Sequence, residues 1–472
     1  MALTQSGSTR DHWSSRSAFL LAAIGSAVGL GNLWRFPAEA GSNGGGAFVL
    51  FYILCVVLIG LPVLLAETLI GRHGQASAPE SVRRVASASR ASSHWSVLAS
   101  MGVFAAFLIL SFYCVVGGWV LYYVGVFAVD LVNSGVAGGA FAGQSADHIE
   151  SLFPALIGSA GWTVGLDALF LGITLYFVAR GVSGGIEVVA NWMMPAFFVL
   201  LLAITVYGMF GGGFGQAIDY LFTFEPEKLT GPVMLAAVSQ AFFSLSLGVA
   251  GMITYGSYVG RNVNLAGTSA MIAGADTLVG LLAGLCVFPI VFSAGLPEGA
   301  GPGLMFVTLP HAFQDMPFGS VVGLLFFIMV FFAALTSSVG LLEVPTAWLI
   351  DRFRIVRRFS AMIVAFGAMV LGALAALSFN ALSGWHPLGF IPLFEGQGFF
   401  DVLDGLTAKL FMPLGAILTA LFVGWVADRK LVDIENGIGG ALHLTWLFLV
   451  RFVCPLALVG ILVMGLFPDL FG

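Results

Sequence analysis

Charge is what this chain has least of. Only 9% of its 472 residues are Asp, Glu, Lys or Arg, against roughly 25% in a soluble domain. With 59% hydrophobic residues and a mean hydropathy of +1.01, this excludes an ordinary soluble fold. The net charge is −6, and no basic patch offers itself to nucleic acid. Cysteine is scarce too. Cys55, Cys114, Cys286 and Cys454 all fall in apolar segments and read as small core residues, not disulfides or metal ligands. No zinc-type His-Glu-x-x-His and no paired catalytic aspartates occur, and His73, His311 and His386 are scattered near loops, which argues against an intramembrane enzyme. No signal-peptide pattern with a cleavage site precedes the first apolar segment, so that segment is expected to be retained.

Long apolar runs take the place of charge. A bilayer-spanning helix needs roughly 20 apolar residues. Eleven spans are predicted on that rule, centred near Gly29, Leu58, Leu110, Leu171, Leu200, Leu247, Leu281, Val330, Val370, Gly415 and Leu456. The third, seventh, eighth and tenth look longer than minimal, which implies tilt. Lysine and arginine placement sets the expected orientation. Arg10, Arg16, Arg72, Arg83, Arg84, Arg90, Arg180, Arg261, the Arg352–Arg358 cluster, Arg429 and Lys430 flank one side, whereas the opposite loops hold Lys228 among several acids. The expectation is a multi-pass protein of the inner (plasma) membrane, with its N-terminus cytoplasmic and its C-terminus outside.

Two spans are anomalous. Gly25 to Pro37 places three glycines in seven residues, then Asn32, Arg35 and Pro37, inside the first apolar run. Irregular backbone at membrane depth is tolerated only where protein buries it or where it lines a cavity, and an intramembrane ionisable residue marks a functional site by default. The segment reads as an interrupted helix whose freed amides and carbonyls bind something polar. In the sixth span, Ser244-Leu245-Ser246-Leu247-Gly248-Val249-Ala250-Gly251 interrupts another apolar run. Read alone, that run also fits close helix packing through small residues. Paired with the first, it points to a midplane site between two repeats.

These residues carry a resemblance. Arg10-Asp11-His12-Trp13, Gly25 to Pro37, Asn43 to Phe48, Phe243 to Gly248, Thr254 to Tyr258 and Leu335-Thr336-Ser337-Ser338 are similar to the neurotransmitter:sodium symporter family, in its bacterial amino-acid-transporting branch. The resemblance covers essentially the whole chain. It implies an all-α polytopic membrane protein with a 5+5 inverted repeat and interrupted helices 1 and 6. The chain is then a single transporter domain over 1–472, with repeat one about 13–212, repeat two about 232–428 and an extra helix about 441–468. Eleven spans rather than the family's commoner twelve leave only partner contacts open, and the oligomeric state is not legible.

The resemblance also implies two sodium sites. The first would use the Ala27 carbonyl, Asn32, Ser244 and Asp276, completed by a substrate carboxylate. The second would use the Gly25, Val28 and Ala333 carbonyls with the Thr336 and Ser337 hydroxyls, although such hydroxyls alone often bond back to their own helix. The substrate would present its carboxylate to the amides near Leu30 and Gly31 and to Tyr113. Its amine would meet the Ala27 and Phe243 carbonyls and Ser246. Its side chain would lie against Ile109, Phe243, Val249, Ser338 and Leu341; for Ile109 and Leu341 plain helix packing is the alternative. Ser26 replaces an asparagine of some relatives. Monoamine carriers place an aspartate at position 29, and Gly29 leaves that space to a substrate carboxylate. The implied substrate is therefore a zwitterionic, hydrophobic α-amino acid, imported with sodium by alternating access.

Two charge pairs resemble gates: Arg35 with Asp404 outside, and Arg10 with Asp351 inside, where Trp13 and Tyr258 assist. Glu67 resembles a residue supporting the helix 1 break, and Glu343 has no assigned role. Tyr52, Gln240 and Ser244 match the chloride-holding residues of chloride-dependent relatives, but Asp276 stands where those have asparagine and Gly280 where they have serine. The implied transport is chloride-independent. The rivals are a symporter for a β- or γ-amino acid, a conducting channel of the same fold, which should show saturating currents far above carrier turnover, or a non-transporting sensor, which should carry a large extra cytoplasmic domain that these short loops do not supply.

Overall fold

The computed structural model describes residues 12–136, 138–296 and 303–467, and all regular structure among them is helical. Backbone groups in lipid must be satisfied within their own segment, and a helix does this. Nine described helices are long and apolar enough to cross a membrane, and one bent pair makes a tenth. In chain order the spanning elements are α1, in two pieces (Arg16–Ala27 and Gly31–Ser42, bent by 49°), α2 (Gly46–Gly74), α3 (Val97–Ser134), α4 (Ala160–Val178) and α5 (Val182–Met209). They continue with α6, again in two pieces (Gly231–Ser244 and Gly251–Gly256), then α7 (Leu265–Ser293), α8 (Gly319–Phe353), α9 (Arg357–Leu377), α10 (Phe399–Val426) and α11 (Gly440–Leu466). Neither piece of α6 is long enough to cross alone, so ten of the eleven expected spans stand among the described residues and α6 is the one that falls short. The longer-than-minimal lengths expected of the third, seventh, eighth and tenth spans are present, at 38, 29, 35 and 28 residues; α2 is also long, at 29.

The bundle is apolar outside as well as inside. Trp192 on α5, Phe366 on α9 and Leu456 on α11 are 80%, 73% and 76% exposed. In water such faces would be docking patches; around a membrane bundle they meet lipid. Within, small residues let helices approach. A Cβ on Gly323 of α8 would lie 2.1 Å from the Phe127 ring of α3, and Tyr123 of α3 stacks on Phe327 of α8 at 4.8 Å. The four cysteines are buried and free.

Both interruptions are present. In α1 the chain leaves the helix at Val28, which is extended (φ −71°, ψ 111°). In α6, Ser246, Gly248 and Ala250 take φ of 50°, 81° and 58°, a left-handed conformation that is costly for the two non-glycines and persists only when surroundings impose it. Here α10 imposes it. A Cβ on Gly248 would sit 2.2 Å from the Met412 carbonyl oxygen, and one on Gly415 would sit 2.4 Å from the Gly248 carbonyl oxygen. Glu67 of α2 accepts the Gly248 N–H at 2.7 Å. Glu67 therefore supports the α6 break, and not the α1 break as the sequence suggested: unwinding α6 leaves an amide without a helical acceptor, and α2 supplies one.

Candidate binding site

The α1 break opens toward α3, α6, α7 and α8. Because the chain bends at Val28 and Gly29, the Gly29 N–H donates to Asn32 Oδ1 at 3.0 Å and the Leu30 N–H to the Tyr113 hydroxyl at 3.3 Å. A cavity lies between the two breaks. Ser26, Ala27, Leu30 and Gly31 line it from α1, Ile109 and Tyr113 from α3, Phe243, Ser246 and Val249 around the α6 break, and Leu341 from α8. Ser338 is the exception among the expected substrate contacts. Its hydroxyl lies 2.8 Å from that of Thr174 on α4 and donates to the Leu335 carbonyl. One residue of helix rotates about 100°, so with Ser337 turned to α1, Ser338 turns to α4. The Phe243 carbonyl also accepts the Ser246 N–H at 3.0 Å.

Met252, Val344 and Met412 line the cavity as well and were not foreseen. Met412 arrives there because α10 closes on Gly248, a contact that no local pattern announces. Ser26 directs its Oγ at the space that Gly340 leaves, 2.4 Å from where a Cβ would stand.

Beside the cavity, oxygens and amides converge on Asp276, which is wholly buried. Asn32 Nδ2 donates to the Ser244 hydroxyl at 2.9 Å, to the Asp276 carbonyl at 3.0 Å and to Asp276 Oδ1 at 2.8 Å. Ser244 donates to Asp276 Oδ2 at 2.5 Å. Gln240 donates to the Gly31 carbonyl at 2.8 Å, while among the described residues its Oε1 has no partner; the Tyr52 hydroxyl lies beside Ser244. Among the described residues no cationic side chain pairs with this carboxylate. Hard oxygens around one negative charge suit a small hard cation. In the present arrangement Asn32 turns its NH2 to Asp276, so coordination by the amide oxygen would need the amide turned over.

A second oxygen cluster joins α1 and α8. The Ser337 hydroxyl donates to the Gly25 and Val28 carbonyls at 3.2 and 3.0 Å. Thr336 donates to the Phe332 and Ala333 carbonyls, each at 3.0 Å. The Ser337 proton thus lies among carbonyls that could instead face a cation, with the hydroxyl rotated to offer a lone pair.

A profile of the sodium:neurotransmitter symporter family matches residues 10–132 and 149–468. The chain belongs to that family. Among its relatives is the sodium-dependent transporter YhdH of Bacillus subtilis, 36% identical over 95% of this chain and 96% of that protein. The human sodium- and chloride-dependent GABA transporter 2 is 26% identical over 94% of this chain and 79% of that one. A solved structure, MhsT in complex with L-phenylalanine, superposes with a TM-score of 0.86 at 38% identity, over 97% of this chain and all of that one. The family is one of transporters, and this chain is a sodium-dependent symporter and a multi-pass membrane protein.

The expected gates of the symporter are only partly assembled. Arg35 is not within ion-pair distance of Asp404; its Nε lies 3.5 Å from Glu39 and its guanidinium covers the Phe243 ring at 4.4 Å. Glu39 is one turn along the same helix and always within reach. Arg10 lies outside the described residues, so its pairing with Asp351 does too; Asp351 accepts the Ser77 N–H at 2.5 Å. The N-terminal side is nonetheless latched. Trp13 donates its indole N–H to the Tyr255 carbonyl at 3.1 Å and its backbone N–H to the Tyr258 carbonyl at 3.3 Å. Ser14 donates twice to Glu187 of α5, both at 2.6 Å, a contact the sequence did not announce. Glu343 binds Arg357 at 2.6 and 3.1 Å and accepts the Tyr258 hydroxyl at 2.6 Å. It ties α8 to the start of α9 and to the chain beyond α6.

Proposed function

We propose that this symporter imports a zwitterionic, hydrophobic α-amino acid into the cytoplasm with two sodium ions and without chloride. The observation that carries the reading is the polarity of the cavity. One end presents the Leu30 amide and the Tyr113 hydroxyl beside Gly29. The remaining wall is mainly apolar, from Ile109, Phe243, Val249, Leu341, Val344 and Met412, with Ser26 and Ser246 among them. Amides at a half-helix start favour a carboxylate, which would take over the Leu30 N–H that Tyr113 now accepts, and the apolar residues favour an uncharged side chain. The phenylalanine in MhsT, at 38% identity, supports the same substrate class.

In this reading sodium is cargo. The Asn32–Ser244–Asp276 cluster with the Ala27 carbonyl takes one ion beside the substrate. The Gly25, Val28 and Ala333 carbonyls with Thr336 and Ser337 take the other and hold α1 against α8. A ligand shifts an equilibrium only by its differential affinity for the two states, and both clusters bridge α1 to another helix, so their occupancy favours the arrangement in which α1 is docked. Exchange of Arg35 from Glu39 to Asp404 would close the outer side, and release of the Trp13 and Ser14 latches would open the inner one. The placement of lysine and arginine assigns that latched side to the cytoplasm.

Binding to the purified protein checks the substrate. Hydrophobic α-amino acids should raise its thermal stability in sodium and not in potassium, and tryptamine should not compete with tryptophan. Tyr113→Phe should weaken binding by about 1.5–3 kcal/mol, the range for a lost hydrogen bond to a charged group. Stronger stabilisation by GABA than by any α-amino acid would replace the proposed substrate class.

The second ion site has its own readout. Thr336→Ala with Ser337→Ala should raise the sodium concentration that half-saturates uptake into proteoliposomes, with little change in substrate affinity at saturating sodium. An unchanged sodium dependence would remove both hydroxyls from the site.

A further inference from the structure

One buried acid has no part in the sites above. Asp167 lies mid-way along α4, wholly buried, and among the described residues neither of its carboxyl oxygens has a hydrogen-bond donor. Thr174, two turns further on the same face, meets Ser338 of α8, so this face is turned into the bundle. An intramembrane carboxyl that survives without a partner is a candidate functional group.

Its neighbours define what it can bind. Gly372 of α9 faces it so closely that a Cβ there would stand 2.6 Å from Asp167 Oδ2 and 2.9 Å from the Ser111 carbonyl oxygen of α3. Gly118 of α3 packs on the α4 backbone, where a Cβ would stand 3.0 Å from the Asp167 nitrogen. The Ser111 hydroxyl is committed to the Phe107 carbonyl at 2.9 Å and does not serve the acid. The titratable group that feels Asp167 from α3 is the Cys114 thiol. From α8 the facing group on this side is the Ser338 hydroxyl, held by Thr174, and from α9 it is Gly372. Among the described residues no lysine, arginine or histidine bears on it.

An ionised carboxylate needs donors or a cation, and burying it with neither is strongly unfavourable. A sodium ion needs several oxygens around it, whereas the gap at Gly372 is flanked by two, Asp167 Oδ2 and the Ser111 carbonyl oxygen. A carboxylic acid, by contrast, carries one donor, and the Ser111 carbonyl oxygen flanks the same gap. The site offers an acceptor and no donor, which selects the protonated form.

We propose that Asp167 is a proton-binding site, a neutral carboxylic acid wedged between α3, α4 and α9 that donates its hydroxyl to the Ser111 carbonyl oxygen. The proton joins α4 to the same stretch of α3 that carries Tyr113. Gly372 is the residue that makes room for the acid.

Infrared spectroscopy of the full-length protein in lipid nanodiscs at neutral pH tests this. Subtracting the Asp167→Asn spectrum from that of the wild type should leave the carbonyl band of a protonated carboxylic acid. That band should shift when all aspartates carry carbon-13 at the side-chain carboxyl. If Asp167→Asn does not assemble, Asp167→Ser gives the same subtraction with a smaller side chain. A difference spectrum containing only carboxylate bands would overturn the proposal. So would carboxylate bands of Asp167 that move when potassium replaces sodium, because the group would then hold a cation.

Discussion

Asp276→Asn should lower chloride-free, sodium-driven uptake by two to three orders of magnitude. Asp276 is the one formal negative charge in a cluster whose other members, Asn32, Ser244, Gln240 and Tyr52, are neutral, and its two oxygens accept from Asn32 and Ser244. A sodium ion bound there is balanced by this carboxylate. With asparagine the protein would supply no counter-charge to the ion, and breaking a buried pair in this way costs about 3–5 kcal/mol. A chloride placed beside the native carboxylate would be repelled by about 4 kcal/mol at 4 Å and an effective dielectric near 20. The carboxylate and the anion are therefore alternatives. Gly280 lies one turn further along α7, where an added Cβ would meet the Phe36 ring at an ordinary 3.5 Å, so serine fits. The Tyr52 hydroxyl lies beside Ser244 and carries a proton that it could give to an anion. Asp276→Asn with Gly280→Ser should recover part of the uptake in chloride and none in gluconate. Collapse of wild-type uptake in gluconate would show that Asp276 is not the counter-charge.

Gly29→Ala should be nearly as damaging, through a different cause. A Cβ at this position would stand 2.5 Å from the Ser337 Oγ and 2.9 Å from the Tyr113 hydroxyl, with Ser337 Cβ at 3.2 Å. Both hydroxyls must move. Ser337 then loses the Gly25 and Val28 carbonyls that it now bonds, and Tyr113 loses the Leu30 amide. Each displaced group is one that the proposed sites need against a charge, worth about 1.5–3 kcal/mol apiece. Substrate affinity should fall by at least roughly tenfold, and sodium half-saturation should rise in the same variant. Since α1 and α8 meet elsewhere, the protein should still assemble. A normal Kd for substrate with normal sodium dependence would mean that this space is not shared by the two sites.

Several features were legible because they are local. A helix is closed within its own segment, so apolar length alone marks the spans; a glycine-rich run with an asparagine, an arginine and a proline cannot pass as an ordinary membrane helix, so the α1 break declares itself. Gly248, Ser246 and Ala250 declared the α6 break in the same way. The motif around Gly25 to Pro37 was specific enough to place Tyr113, Asn32, Ser244 and Ser337 before their contacts were visible.

Other features depend on which helix faces which, and no periodicity within one segment encodes that. Glu67 carries no mark to say that it serves Gly248 rather than α1. Met412 enters the cavity only because Gly415 lets α10 touch the α6 break, and Ser338 turns from the cavity only because Ser337 already faces α1. Arg35 meets Glu39 on its own helix, and only the fold leaves Asp404 beyond ion-pair distance. Asp167 reads as one more residue of an apolar segment until Gly372 and the Ser111 carbonyl are seen against it. The sequence by itself determined the spans, the two interruptions and the family, since backbone satisfaction in lipid is a property of each segment. The tertiary structure alone decided the partners of the buried polar groups, since a side chain's partner is set by the packing of helices far apart in the chain.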